Sequence, residues 1–295
     1  MSASTLTVPR SNTSTPAIGK RPKRRWRRFQ EWSLVTGLVC VTLLVGAAVC
    51  APALAAFDPL RVDTANLLEP PSGGHWLGTD DLGRDVWSRV LFGGRTSLSI
   101  GVAATVLATA LGVVVALVAG YWAGRLDGFL MRVMDAFLAF PGLVLALAMV
   151  SFLGPSALTI VLAIGIVAAP GTARITRGQI LVDRRLQFVE AAIVTGATHM
   201  RIIVRHLVPN LAPLIAVQAS LNLAFAILTE GSLSFLGAGV PPPAPTWGAM
   251  LQKGYPYLDS APWVAIAPGA AVFLTVLGFN LLGDGLRAVL SPRRA

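Results

Sequence analysis

Six stretches of this chain are apolar over about the length that a bilayer demands. They run from about Ser33 to Phe57, Leu98 to Trp122, Phe129 to Phe152, Ser156 to Pro170, Leu211 to Leu236 and Pro262 to Gly283. A helix needs roughly 20 mostly apolar residues to cross a membrane. The fourth stretch is the shortest, and its first charge after Ser156 is Arg174. The Gly- and Ala-rich run Gly101 to Gly120 suits close helix packing in lipid. The pattern predicts an all-α membrane protein with six transmembrane helices. It divides into a basic tail (1–32), a first helix (33–57), an outer segment (58–97), a five-helix core (98–286) and a short tail (287–295).

Composition agrees. Of 295 residues, 54% are hydrophobic and 13% charged, against about 25% charged in soluble domains. Too few polar side chains remain to solvate a soluble fold of this size. Nineteen Lys and Arg fall in or beside 1–32, 123–128, 171–210 and 284–295, whereas Arg61, Arg84, Arg89, Arg95 and Lys253 lie in the alternate segments. That bias predicts a multi-pass protein of the cytoplasmic membrane with both termini cytoplasmic. The cluster Lys20 to Arg28 with Ala53-Leu54-Ala55 imitates a secretory signal. Its apolar run exceeds 20 residues, however, against about 7–15 for a signal, so an uncleaved anchor is expected. Next to a span, the basic run orients the helix and meets anionic lipid rather than nucleic acid. Cys40 and Cys50 are ten residues apart, about 15 Å on a helix, too far for a mutual disulfide.

The sequence carries no chemical engine. Its three lysines, Lys20, Lys23 and Lys253, complete no Walker A pattern, so no P-loop binds ATP. His75, His199 and His206 form no zinc motif, and no G-x-S-x-G elbow exists, leaving neither a catalytic residue nor a metal site in prospect. Glu230, Asp135 and Asp284 lie near the ends of spans rather than at mid-depth, where a coupled carrier keeps its ionisable groups. Gln218, Asn222 and Asn280 either line a path or bond helix to helix. Energy for transport must come from a partner.

The connection 171–210 has a helical pattern. Apolar residues recur from Leu186 to Val194, Gly196 interrupts, and the pattern resumes from Met200 to Val208. This predicts two short helices with Gly196 as the turn, Pro209 as the stop and Asn210 as the cap of the next span. Their apolar side either docks in a partner's groove or packs under the bundle.

A resemblance favours docking. Glu190-Ala191-Ala192, then Gly196, then His206-Leu207-Val208-Pro209 resembles the EAA loop of ABC importer permeases, the histidine being similar to the peptide-permease branch. Leu77 to Asp85 and Gly93 to Leu98 resemble the stretch before the second span in dipeptide and oligopeptide permeases of the C-subunit type. Asp135 with Phe140-Pro141, Leu233 to Gly237, and Pro245 to Gly248 match further blocks.

The resemblance implies a type I ABC importer-like permease fold with a cytoplasmic coupling helix. It implies a homologous second permease subunit, two ATPase subunits holding ATP and Mg, and an extracytoplasmic binding protein. No cofactor is implied in this chain. Peptide is the expected solute, with nickel, glutathione or another small solute as alternatives, and a self-contained carrier as a different class.

Within the loop, Glu190 accepts hydrogen bonds, Ala191 and Ala192 permit close approach, and Gly196 sets the angle between helices. Arg201 and Arg205 share one face, which meets partner carboxylates, lipid phosphates or solvent. The outer block Asp80, Asp81, Arg84 and Asp85, mixed in sign, predicts a turn and a short interfacial helix. Contact with a binding protein, closure of an outer gate, and bracing of the bundle all remain open for it. Pro241-Pro242-Pro243 with Pro245 reads as a stiff spacer.

Overall fold

A computed structural model describes residues 23–290, with side chains from Trp32 onward; the expectations for the first 22 residues and the last five lie outside it. The helices are α1 (Lys23–Val49), α2 (Ala51–Leu54), α3 (Val86–Trp122), α4 (Gly124–Leu138), α5 (Gly142–Leu153), α6 (Ala157–Asp183), α7 (Gln187–Val194), α8 (His199–Ile202), α9 (Val208–Phe235), α10 (Trp247–Gly254) and α11 (Trp263–Leu290). Five helical stretches are long and apolar enough to cross a membrane, or six if the bent pair α4–α5 counts as one span.

The third span is therefore not straight. α4 and α5 meet at 87° across Ala139, Phe140 and Pro141. Proline disfavours helical backbone in the residue before it, and Pro141 itself is extended, with ψ at 121°. The fourth span is longer than its apolar run, because α6 continues through Pro170 to Asp183. A buried proline is tolerated within such a helix because neighbouring helices surround the interrupted turn.

α3 and α6 run parallel. Leu107 meets Gly165, Gly112 meets Thr172, and Gly120 meets Ile180, so both sequences advance together. A Cβ on Gly112 would lie 2.6 Å from Thr172 Cβ and 2.9 Å from the Ala169 carbonyl. No side chain fits there without parting the helices, so the small residues set the spacing. The chain returns between these parallel helices through the α4–α5 elbow. α9 packs with both, and α5 joins them in one apolar core with Ile100, Ala146, Ile164 and Leu233. α1 lies along α11, with Leu34 beside Gly285 and Cys40 beside Gly278. Cys40 and Cys50 are both free thiols.

Two ion pairs clip α4 to α6. Arg177 binds Asp127 through two nitrogens, and Arg174 binds Asp135. The second pair is half-exposed, at 57% and 50% of the two side chains.

The outer block contains no interfacial helix. Residues 77–85 fold as a turn closed by an isolated antiparallel bridge between Thr79 and Asp85. Asp85 then caps α3 by accepting from the Ser88 amide at 2.8 Å and the Ser88 hydroxyl at 2.6 Å.

A candidate coupling hairpin anchored to three helices

Between α6 and α9 the chain makes a helical hairpin. α7 lacks a side-chain cap, whereas α8 is capped by Thr198, which accepts from the Arg201 amide. Gly196 has φ of +76°, and the space that a methyl group on it would fill is open to 4 Å, so its backbone conformation alone requires glycine. Its amide donates to the Ile193 carbonyl at 3.0 Å, and the Ala197 amide to the Ala192 carbonyl at 3.0 Å.

The sequence offered two fates for the hairpin's apolar residues, and they are divided between its two sides. Val189, Ala192, Ile202, Ile203 and Leu207 are buried with Ala116 of α3, Ile180 of α6 and Leu211 of α9. The opposite side leaves Phe188, Ile193, Met200 and Val204 exposed, and Val194 is 86% exposed. Glu190, Ala191, Arg201 and Arg205 are exposed on the hairpin, Ala192 is buried, and His206 is half-buried with its ring 6.2 Å from that of Phe188.

Two local expectations are corrected. Pro209 does not stop the second helix, and Asn210 does not cap a new one. His199 to Phe235 is one continuous helix of 37 residues. It passes Pro209 through a π turn, Ile203–Leu207, with the Val208 amide reaching back to the Ile203 carbonyl. Proline has no N–H and clashes with the carbonyl four residues earlier; the wider π register absorbs that misfit. Asn210 lies inside α9, exposed itself, and its Nδ2 donates to Asp183 Oδ2 at 2.9 Å.

That bond belongs to a set that periodicity could not reveal. Asp183, buried at the end of α6, also accepts from Gln179 Nε2 at 2.7 Å. Arg184 donates to the carbonyls of Gly120 and Tyr121 at 3.2 and 3.4 Å. The Tyr121 hydroxyl meets His199 Nδ1 at 2.7 Å. The hairpin is thus tied to the ends of α3, α6 and α9. The partners stand 27 to 78 residues apart in sequence, so only their polar character on a helix end hinted at them.

The polar residues read as lining a path or bonding helix to helix lie on α9 and α11. Gln218 Nε2 donates to Asn222 Oδ1 at 3.2 Å, and Asn222 Nδ2 to Thr172 Oγ1 at 2.8 Å, which links α9 to α6. Asn280 is exposed on α11 and bonds the Val276 carbonyl of its own helix.

At the far end of the bundle, Asp80, Arg84 and Asp85 are buried, and Asp81 is half-buried. Asp80 accepts from the amides of Leu82 and Arg84, and pairs with the guanidiniums of Arg84 at 2.8 Å and Arg89 at 3.3 Å. Asp85 meets His75 Nδ1 at 2.9 Å. The Trp263 indole donates to the Thr79 carbonyl at 3.2 Å, which fastens this block to α11. Arg89 and His75 were not singled out by the sequence pattern. Among the described residues no group of His, Cys, Asp and Glu is arranged to hold a metal.

These features define a helical, multi-span membrane protein with an anchored hairpin on one face. The chain belongs to the family of binding-protein-dependent transport system inner membrane components, whose pattern it matches over residues 108–295. It is 43% identical over 271 residues to the glutathione transport system permease protein GsiD of Pectobacterium atrosepticum, covering 91% of this chain and 90% of the relative. It is 39% identical over 297 residues to the dipeptide transport system permease protein DppC of Alkalihalophilus pseudofirmus, covering 99% and 97%. Among solved structures, the inward-facing MetNI methionine ABC transporter aligns with a TM-score of 0.55 at 20% identity, covering 66% of this chain and 93% of that one. The fold is that of a type I ABC importer permease. The family is one of multi-pass inner-membrane permease subunits, non-catalytic and working with ATPase partners and a substrate-binding protein. Membership displaces the reading of a self-contained carrier.

Proposed function

We propose that this chain is the permease subunit of an importer that moves di- and oligopeptides, with its hairpin docked on a separate ATPase subunit. The carrying observation is the hairpin's division into two sides. One is fused by apolar packing and hydrogen bonds to three bundle helices. The other presents bare apolar side chains flanked by Glu190, Arg201 and Arg205. A docked ATPase covers that second side, and its closure displaces the hairpin as a rigid body together with the bundle.

In this reading both termini and the hairpin are cytoplasmic, in keeping with the distribution of Lys and Arg. ATP and Mg are held by the partner ATPases, a homologous permease completes the bundle as a heterodimer, and an external binding protein delivers the solute. The similarity to a dipeptide permease over nearly the whole chain supports peptide as cargo. The similarity to glutathione permeases favours a second reading, itself a small peptide.

The test is purification of the tagged chain from mild detergent, with co-purifying proteins identified and ATP hydrolysis and uptake assayed in proteoliposomes. A second permease and P-loop ATPases are expected. Exchange of Glu190 for Lys should uncouple hydrolysis from uptake while the chain stays in the membrane. A chain that purifies alone and drives uptake without ATP would sink this reading.

A further inference from the structure

At the far end of the bundle, where α3 begins and α9 ends, lies a cavity of about 240 Å³. Arg84 and Arg89 line it, with side chains only 7% and 5% exposed. α10 contributes Gln252 and Lys253, α9 contributes Ser234, and Pro241 to Pro243 form a wall with fixed backbone.

The charges here do not balance. Asp80 is the near partner of both arginines, and Asp81 reaches Arg84 at 3.5 Å. Both Asp80 oxygens are already engaged, Oδ1 by two backbone amides and Oδ2 by both guanidiniums. Arg89 spends another N–H on the Pro59 carbonyl at 3.0 Å. Lys253 has neither an ion pair nor a hydrogen bond among the described residues. Three cations therefore face two acids, and Lys253, half-buried in the last turn of α10, is the one left without a side-chain partner. A planar carboxylate matches guanidinium and ammonium donors together.

We propose that this cavity is an anion subsite that receives the terminal carboxylate of the transported peptide. The proposal rests on the importer reading above and adds a contact point for the cargo. Drug-sized ligands occupy about 300–1,000 Å³, so this smaller cavity holds the carboxyl end of a peptide, with the remainder outside it. A phosphate, free or on a lipid, shares the chemistry of an anion, and the assay separates the two.

The chain has only three lysines, Lys20, Lys23 and Lys253, so acylation of Lys253 is read unambiguously by peptide mapping, with the other two as internal controls. The complete transporter in nanodiscs is treated with an amine-reactive acylating reagent in the presence of dialanine, dialanine amide, glutathione or inorganic phosphate. At about four times its dissociation constant, dialanine should slow Lys253 acylation about fivefold by occupancy, and its amide should not. Equal protection by acid and amide, or stronger protection by phosphate, overturns the proposal. Uptake of dialanine with no protection of Lys253 also overturns it and leaves the importer reading standing. Protection by a carboxylate such as glutathione in a transporter that takes up no dialanine supports the anion subsite and overturns dialanine-type peptides as cargo.

Discussion

Replacing Asp183 by Ala removes the acceptor that joins the end of α6 to the start of α9. The buried carboxylate takes one bond from Asn210 across that junction and one from Gln179 within its own helix. A hydrogen bond to a charged group is worth about 1.5–3 kcal/mol. Only the Asn210 bond crosses the junction, so the open form of the hairpin base should gain about 10- to 100-fold in population. Asp183→Asn keeps an acceptor without the charge, so the roughly 1 kcal/mol of a neutral bond is retained and the gain should be smaller, about 2- to 30-fold. The apolar contacts of Val189, Ile202 and Leu207 remain, so the chain stays folded and the change is local. Hydrogen exchange of hairpin amides such as that of Ala197, followed by mass spectrometry on the purified complex, reads the opening directly. Asn210→Ala should reproduce the effect, and the double variant should add little to either single one, as expected for groups that act as a pair. Exchange within about threefold of the unaltered chain in both single variants would refute the clasp, since the bond energy requires more.

Other outcomes follow from the same geometry. Gly196→Ala should cost about 1–2 kcal/mol through positive φ alone, because nothing crowds its methyl, whereas Gly196→Pro also removes the N–H that bonds Ile193. Uptake per ATP hydrolysed should fall for the proline variant much more than for the alanine variant; equal values would contradict the turn argument. Gly112→Val forces apart α3 and α6, and overpacking of this kind costs about 1–3 kcal/mol; a thermal shift assay in detergent should show a lower melting point, and an unchanged one would mean the helices can separate freely. Asn222→Ala breaks the link to Thr172, and interhelical bonds in membranes average about 0.6 kcal/mol. A small drop in melting point with uptake nearly intact is expected, while loss of uptake at unchanged stability would move Asn222 onto the translocation path.

Much of the bundle was legible in the sequence, because a span needs only length and apolarity. The turn at Gly196 was equally legible, since glycine is the residue that reverses a helical chain through positive φ without strain. What escaped were features set by neighbours rather than by the segment itself. α6 outruns its apolar stretch by 13 residues, to Asp183, because Arg174 and Arg177 find aspartates on α4 and Asp183 finds Asn210. Pro209 looks like a terminator, yet a π turn carries the helix past it. Phe140-Pro141 marked the elbow in plain view, but its 87° bend follows from the need to return between two parallel helices. At the candidate site, the exposed hairpin residues were readable from motif and period. The anchoring bonds of Tyr121, Arg184 and Asp183 were not, since each joins residues far apart in the chain.

The unbroken helix from His199 to Phe235 has a mechanical consequence. Its 37 residues span about 54 Å at 1.5 Å per residue, so it begins in the hairpin and ends beside Ser234 in the cationic cavity. A rod of that length turning by about 10° about its middle sweeps each tip through about 5 Å. Because the helix is continuous through the π turn at Ile203–Leu207, a tilt of the whole moves its two ends in opposite directions. In the proposed importer, whatever grips the hairpin would therefore also move the end of α9 that carries Ser234.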